Sequence, residues 1–411
     1  MITPAWRIRD AVDVDMPLIR ELFAEEGFTD LTDPTGIRVA ATPDNTMLGA
    51  CRSEQGSDGH WNIRPVVVFD VVQHHGVGAS LLRDALKRHP DMYLVSRGEI
   101  EPFYLACGFE RCSWEEIAPE FQNECAQCAD RASCGPIPFK AKDVDLTLTF
   151  LGTSSGCGVP AFFCHCPSCE AARENPALRR TCTGVVLRGR GTTLIDTPPD
   201  LRAQLVREDV HDIDEVFLTH AHYDHLGGFG ELEYLIRLYQ DRPMPFHASA
   251  PAMNEVFKEF SYMDDIFAID YLEEFDTRTV SDGLTIQALP LNHCPGAMGY
   301  LITSSSGKRT FYAPDTAELK PDVIRLLKGV DNLIMDSTFW GEAGNFKTHH
   351  SMQQTIDEGI NLLDAGAIYL THLAPHICEP DENVIDELYA YVKQFEGRVI
   401  VAEDGMKVPL S

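Results

Sequence analysis

His220-Ala221-His222-Tyr223-Asp224-His225 sets four good metal ligands within six residues, directly after the apolar run Glu215 to Leu218. Ordinary core packing does not satisfy so many imidazole and carboxylate groups at once, and a buried one needs a partner or a metal. A solvated His-rich loop is the alternative. Against it, three further short apolar runs end in ligand-type residues: His293 after Leu289 to Asn292, Asp315 after Phe311 to Pro314, and His372 after Ile368 to Thr371. Two divalent ions held close together keep water deprotonated near neutral pH and clamp the oxygens of an ester as it is displaced, so the chemistry this pattern suits is hydrolysis. Cysteines form two more groups. Cys164, Cys166 and Cys169 make a Cys-x-Cys-x-x-Cys trio that one more ligand, with His376 the best candidate, would close into a structural zinc site, the alternative being buried unligated thiols. Cys125, Cys128 and Cys134, with Cys112 as a fourth, offer either another zinc site or reduced thiols.

The elements that must position these residues fall into two series. From about residue 145 onward, short strands (LTLTFLGT, GVVLRG, TTLIDT, EVFLTH) end in polar residues and alternate with helical stretches near 200–207, 227–240 and 251–260. A second series runs through LTIQALPLNH, MGYLIT, RTFYAPDT, NLIMDST and AIYLTH, with helices near 351–364 and 382–395. Two sheets flanked by helices would bury these strands, and their His, Asp and Thr ends should converge on one rim. The first segment reads as a separate α/β unit: a helix around 14–26, a strand at Val66 to Val72, and a helix at Gly78 to Lys87 after a Gly-containing turn. Between about 113 and 143 periodicity fails while Pro, Cys and Asp accumulate, which predicts a linker between domains at 1–112 and 144–411.

A length of 411 residues is enough for two cores, and 44% apolar with 24% charged residues is ordinary for globular chains. No apolar run approaches the roughly 20 residues that span a bilayer, and the first residues lack a signal-peptide layout, so a cytoplasmic location and no membrane partner are expected. The net charge of −29 repels polynucleotides, so no nucleic-acid partner is expected either. Thirteen cysteines in such a chain point to thiol or metal chemistry rather than disulfides.

HxHxDH with the later His, Asp and His positions resembles the metallo-β-lactamase superfamily over about residues 145–411. The resemblance implies an αββα sandwich and two catalytic divalent ions, Mn²⁺ or Zn²⁺. His220, His222 and His293 would hold one, Asp224, His225 and His372 the other, and Asp315 would bridge them. Asp224 would also orient the attacking water. Within that superfamily, GTxxGxGVPxxxCxCxxC at 152–169, RRxCxG at 179–184, the Leu291-Asn292-His293 run, Pro314-Asp315-Thr316 and the LTHxxxH ending resemble the phosphoribosyl 1,2-cyclic phosphate phosphodiesterases of the carbon-phosphorus lyase pathway. That family spaces its last two histidines three apart, and here they stand four apart. The resemblance implies that the substrate is a small cyclic phosphate opened to ribose 1,5-bisphosphate. It also implies that His350, supported by Asp336, protonates the leaving oxygen, with the neighbouring His349 leaving the register open. Other members of the superfamily, an RNA-processing nuclease, a lactonase or a thioesterase, share HxHxDH and remain alternatives.

In the first segment, Gln73, Gly76 and Gly78 fit the Q-x-x-G-x-G pattern, and Phe103 to Phe109 the FYxxxGF segment, of the GNAT acetyltransferases, which the region 6–112 resembles. Glycines at such a turn let backbone amides approach a pyrophosphate at a helix N-terminus. The resemblance implies acetyl-CoA as ligand and Tyr104 as the acid that protonates the departing thiolate; an aminoalkylphosphonate is the expected acyl acceptor, because it would place both halves of the chain in one phosphonate-degrading pathway. Glu101 stands where the family usually has alanine, and a CoA-sensing domain without turnover is the alternative. A homodimer is the candidate assembly.

Overall fold

A computed structural model describes residues 6–29, 31–240, 243–341, 347–376 and 383–411. The chain divides into two compact units, Met1–Val144 and Asp145–Ser411.

Unit 1 is a seven-stranded sheet built from β1 (Arg7–Asp10), β2 (Ile37–Ala41), β3 (Met47–Gln55), β4 (Trp61–Val68), β5 (Tyr93–Ser96), β6 (Phe109–Arg111) and β7 (Ile137–Ala141), in the order β1-β2-β3-β4-β5-β7-β6. One face packs on the helix Val77–Arg88 through Leu81, Leu82 and Ala85, the other on the helix Met16–Ala24 through Ile19 and Phe23. The ladder between β4 and β5 is one residue pair, Asn62 with Tyr93, while β5 pairs along its whole length with β7. The two middle strands therefore part, and the sheet opens between them. The expected linker is a correction. Residues 113–143 belong to unit 1, with a helix at Pro119–Gln127 and β7 inserted between β5 and β6. Pro138 obscures this strand in the sequence, yet its carbonyl accepts from the Cys112 amide and the neighbouring Phe139 is fully buried.

Unit 2 has two further seven-stranded sheets. The first comprises β8 (Thr147–Gly152), β9 (Gly184–Arg188), β10 (Thr192–Ile195), β11 (Glu215–Phe217), β12 (Met244–Ala248) and β13 (Phe267–Tyr271). The second comprises β14 (Thr277–Thr279), β15 (Thr285–Pro290), β16 (Met298–Thr303), β17 (Arg309–Ala313), β18 (Asn332–Asp336), β19 (Ala367–Thr371) and β20 (Val399–Val401), and β21 (Lys407–Pro409) returns to pair with β8 in the first. Phe150, Phe217, Tyr300 and Tyr312 fill the space between the sheets. Helices cover both outer faces, Leu201–Arg207 and Ala250–Glu259 on one, Pro321–Leu327 and Val384–Val392 on the other. The result is an αββα sandwich. Strands buried on both sides read as unbroken apolar runs, which is why this half shows its order in sequence. Among the described residues, no helix is long and apolar enough to cross a membrane.

Candidate metal centre

Strand ends build the site. Asp196 follows β10, His220 and His222 follow β11, His293 follows β15, Asp315 follows β17, Asp336 ends β18 and His372 follows β19. These strands bring their polar ends to one rim: β10 and β11 run parallel, as do β17, β18 and β19, and β15, two antiparallel pairings from β17, runs in the same direction. Asp196 (φ 68°) and His372 (φ 59°) sit in the left-handed backbone region, which costs an L-residue about 1–2 kcal/mol. Such strain persists where the surroundings hold it, and here it turns two side chains inward.

The structure brings the seven expected ligands together as two overlapping groups, His220, His222, His293 and Asp315, and Asp224, His225, Asp315 and His372. Within each group one ligand atom per residue lies within 4.8 Å of all the others, and Asp315 belongs to both. Outer partners fix the rings. The Nδ1–H of His225 donates to Asp196 at 2.9 Å, and that of His293 to the Thr348 carbonyl at 3.0 Å. The Thr219 hydroxyl donates to Asp196, so it accepts from the Nδ1–H of His220 at 3.1 Å. In the same way Thr338 donates to Asp336 and accepts from the Nδ1–H of His372 at 2.9 Å. All four rings thus turn Nε2 toward Asp315. His222 differs, facing the Nε2 of His293 with its own Nδ1 at 3.0 Å.

Electrostatics tell the same story. Burial works against a charged His372 ring, yet Asp315 and Asp224 outweigh it and lift its pKa to about 10. Burial likewise opposes charge on His225, and Asp315, Asp224 and Asp196 raise it well above its usual value. His220, by contrast, is pushed down to about 3 by burial and by the neighbouring His225. Asp315 is held well below the carboxylate range: burial opposes its charge, but His372 and His225 prevail. The His220 and His225 Nε2 atoms are buried without a hydrogen-bond partner, and Asp315 Oδ1 faces the His372 Nε2 at 2.9 Å. Unpartnered ring nitrogens gathered beside one shared carboxylate, from the ends of β11 and β17 and the turn after β11, fit a pair of divalent cations.

Beside this cluster lies Asp336, fully buried, whose Oδ2 accepts from the Nδ1–H of His349 at 2.8 Å. His349 stacks on His372 and shares a ligand-distance group with Asp315, Asp336 and His372. His350 is a correction. Its ring is buried and faces away, with Nε2 on Glu358 at 3.0 Å, because the Thr338 amide binds the His350 carbonyl and fixes which of the two neighbours looks inward. Asp196, Thr219 and Thr338 were missed in sequence. Asp196 follows the strand Thr192–Ile195 as His293, Asp315 and His372 follow theirs, a signal strong enough to have found it.

The Cys164, Cys166 and Cys169 sulfurs also gather within 4.8 Å. His376 does not join that group, and both its ring nitrogens are buried without a partner. Cys112, Cys125, Cys128 and Cys134 form no three-ligand group among the described residues. Instead Cys125, Cys128 and Cys134 line a cavity of about 950 Å³ in unit 1, between the parting β4 and β5. Gln73, Gly76, Gly78 and Tyr104 line it as well. Gly76 caps the helix Val77–Arg88 at φ 87°, and the Gln73 amide donates to Asp70 at 2.7 Å. Tyr104 is buried, and burial raises its pKa well above the ordinary tyrosine value. Glu101 is paired with Arg111, which holds its carboxyl below the usual range.

Residues 192–373 match the family model described as the beta-lactamase superfamily domain. A diphosphatase of the PhnP family has a similar structure, with a TM-score of 0.55 and 25% identity over 64% of this chain and 96% of that one. The C-terminal unit has the metallo-β-lactamase fold. Zinc-bound PqqB from Methylobacterium extorquens shares the fold at 19% identity and a TM-score of 0.54, over 64% of this chain and 99% of that one. An octanoyltransferase from Porphyromonas gingivalis is 25% identical over 281 residues, 62% of this chain, and the match spans 54% of that protein.

Proposed function

We propose that unit 2 is a metal-dependent phosphodiesterase that opens 5-phosphoribosyl 1,2-cyclic phosphate to ribose 1,5-bisphosphate. One observation carries this reading: the Asp336–His349 pair stands against the ligand cluster. Ions held by the seven ligands would supply Lewis-acid polarisation of the phosphoryl group and a water acidic enough to lose its proton near pH 7. The protein's own part is to bring the proton for the other side of the reaction. Asp336 holds Nδ1–H of His349, so Nε2 is the atom that carries and delivers a proton to the leaving oxygen. An alkoxide needs that proton, whereas the phosphate leaving group of a diphosphate needs it much less. The pair therefore favours a sugar ester over a diphosphate bond, the chemistry named for the similar PhnP-family structure. The chain's strong acidity speaks against the RNA of a nuclease.

Phosphorus NMR of the cyclic ribose phosphate, with Mn²⁺ or Zn²⁺ and with His222→Ala as control, tests the reading. Metal-dependent ring opening that the variant lacks supports it. No reaction with either ion, alongside fast cleavage of a lactone or thioester, would sink it.

For unit 1 we infer acetyl-CoA binding and N-acetyl transfer, with an aminoalkylphosphonate as acceptor. The cavity favours this reading, because the glycine turn, the helix N-terminus and Tyr104 all border one space large enough for a pantetheine arm. Thiol release from acetyl-CoA with 2-aminoethylphosphonate is the expected result. Acetyl-CoA binding without thiol release would make unit 1 a sensor.

A further inference from the structure

His350, which is buried, and Glu358, which is half-buried, form a polar pair that the proposed chemistry leaves unused. His350 is 2% exposed and donates Nε2–H to Glu358 Oε1 at 3.0 Å. Its Nδ1 and Glu358 Oε2 have no hydrogen-bond partner. Leaving such groups unpartnered is costly, and apolar residues of similar volume often replace such a pair with no loss of stability. Stability alone gives little reason for it.

Its position gives a better one. The short segment from Thr348 to Ser351 carries His349 and is tied on both sides: the Thr348 carbonyl accepts from His293, and the His350 carbonyl from the Thr338 amide. Glu358 holds the third point. It opens a π-helical turn, Glu358–Leu362, that follows the helix Met352–Asp357. The next residue, Gly359, lies so close to β19 that a Cβ there would stand 2.6 Å from Ile368 Cδ1. Glu358 therefore projects from a turn clamped on the sheet, and through it the His350 side chain fixes the backbone that aims its neighbour. Wide or irregular turns of this kind recur where a side chain must be set in a non-repeating place.

We propose that His350 and Glu358 are positioning residues that aim His349 Nε2 at the leaving oxygen. The proposal rests on the phosphodiesterase reading above. It differs in what it expects of leaving groups, because an acid that is misaimed hurts poor leaving groups and spares good ones.

The test uses the full-length, metal-loaded protein and methyl aryl phosphates whose leaving phenols range from p-nitrophenol to phenol. Glu358→Leu should slow the phenyl ester about tenfold while the p-nitrophenyl ester changes less than about twofold, steepening the dependence of rate on leaving-group acidity. KM and bound metal should stay as in the parent, and Glu358→Gln, which keeps the hydrogen bond, should recover most of the loss. In a His349→Ala background, Glu358→Leu should add nothing, since both act on one proton transfer. Equal losses on every ester, additive losses with His349→Ala, or no loss at all would overturn the proposal. His350→Phe provides the same measurements from the other partner if Glu358→Leu lowers the yield of folded protein. Should the parent protein cleave none of these esters with any divalent ion, the phosphodiesterase reading falls, and the positioning role with it. Should it cleave them with a flat leaving-group dependence that His349→Ala does not alter, the hydrolase stands and the positioning role alone fails.

Discussion

The metal centre of unit 2 and the cavity of unit 1 do their work by different parts of the chain. In the centre, side chains carry everything: five histidines and two aspartates meet within a few ångström, several of them buried and oppositely charged, and outer partners orient four of the rings. In the cavity the backbone does most of it: two strands part, a glycine turns at positive φ, and a helix presents its amides, with Tyr104 as the one titratable side chain that the proposed chemistry uses. The difference predicts that substitutions in the first region abolish function outright, while in the second only a few positions matter.

The sharpest break is Asp315→Ala. It removes the one carboxylate common to both ligand groups, so hydrolysis should fall by more than about 100-fold, beyond what loss of an outer partner causes, and metal analysis should show less than the parent's bound metal. Acetyl-CoA affinity should not move. If both activities fell together, the variant would have unfolded the chain and the comparison would carry nothing. For the cavity the corresponding change is Tyr104→Phe. A general acid contributes about 100-fold or more, so acetyl transfer should drop by that order while acetyl-CoA affinity stays within about twofold. An unchanged transfer rate would leave the tyrosine a packing residue on Phe139 and Phe109.

Asp196→Asn separates geometry from ligation. The amide keeps the shape but offers His225 Nδ1–H and Thr219 a weaker, one-sided acceptor, so metal affinity should fall about 10- to 100-fold with the fold intact. Proton linkage sharpens the same point. In the metal-free protein His225 and His372 are raised, so their contribution to stability is full below about 6.5 and for His372 is lost as the pH climbs through about 10. Metal binding displaces those protons. Affinity should therefore rise with pH, by up to about tenfold per unit for each proton released, and calorimetry in buffers of different ionisation enthalpy should detect the release. Binding that is independent of pH across 6 to 8 would contradict the charge state of both rings.

How much of this stood in the sequence follows the same division. HxHxDH and the later strand-end ligands were legible because each sits next to a short apolar run, and the chemistry of a side chain is written at its own position. Three features were not legible. The choice between His349 and His350 depends on one backbone hydrogen bond from Thr338, eleven residues or more away. The strand β7 depends on pairing with β5, some forty residues earlier, and its Pro138 masks the alternation of Ile137 to Ala141. Cys125, Cys128 and Cys134 look like ligands by type, but the helix and turn that carry them spread their sulfurs along a cavity wall.

The smallest effect should come from Gly76→Ala, and it tests the backbone account most directly. Gly76 has φ 87°, ψ −1° and nothing within 4 Å of the place a Cβ would occupy, so no clash confuses the result. What remains is the cost of a left-handed L-residue, about 1–2 kcal/mol. If the turn holds its shape, unit 1 should melt roughly 3–8 °C lower with acetyl-CoA affinity little changed. If the turn instead relaxes, the melting point should hold while affinity falls several-fold, because the amides of the helix Val77–Arg88 would no longer face the cavity. Metal binding in unit 2 should be indifferent to either outcome. A variant that changed neither melting nor affinity would show that the glycine turn plays no part in ligand binding, and the cavity's function would have to be sought in its walls.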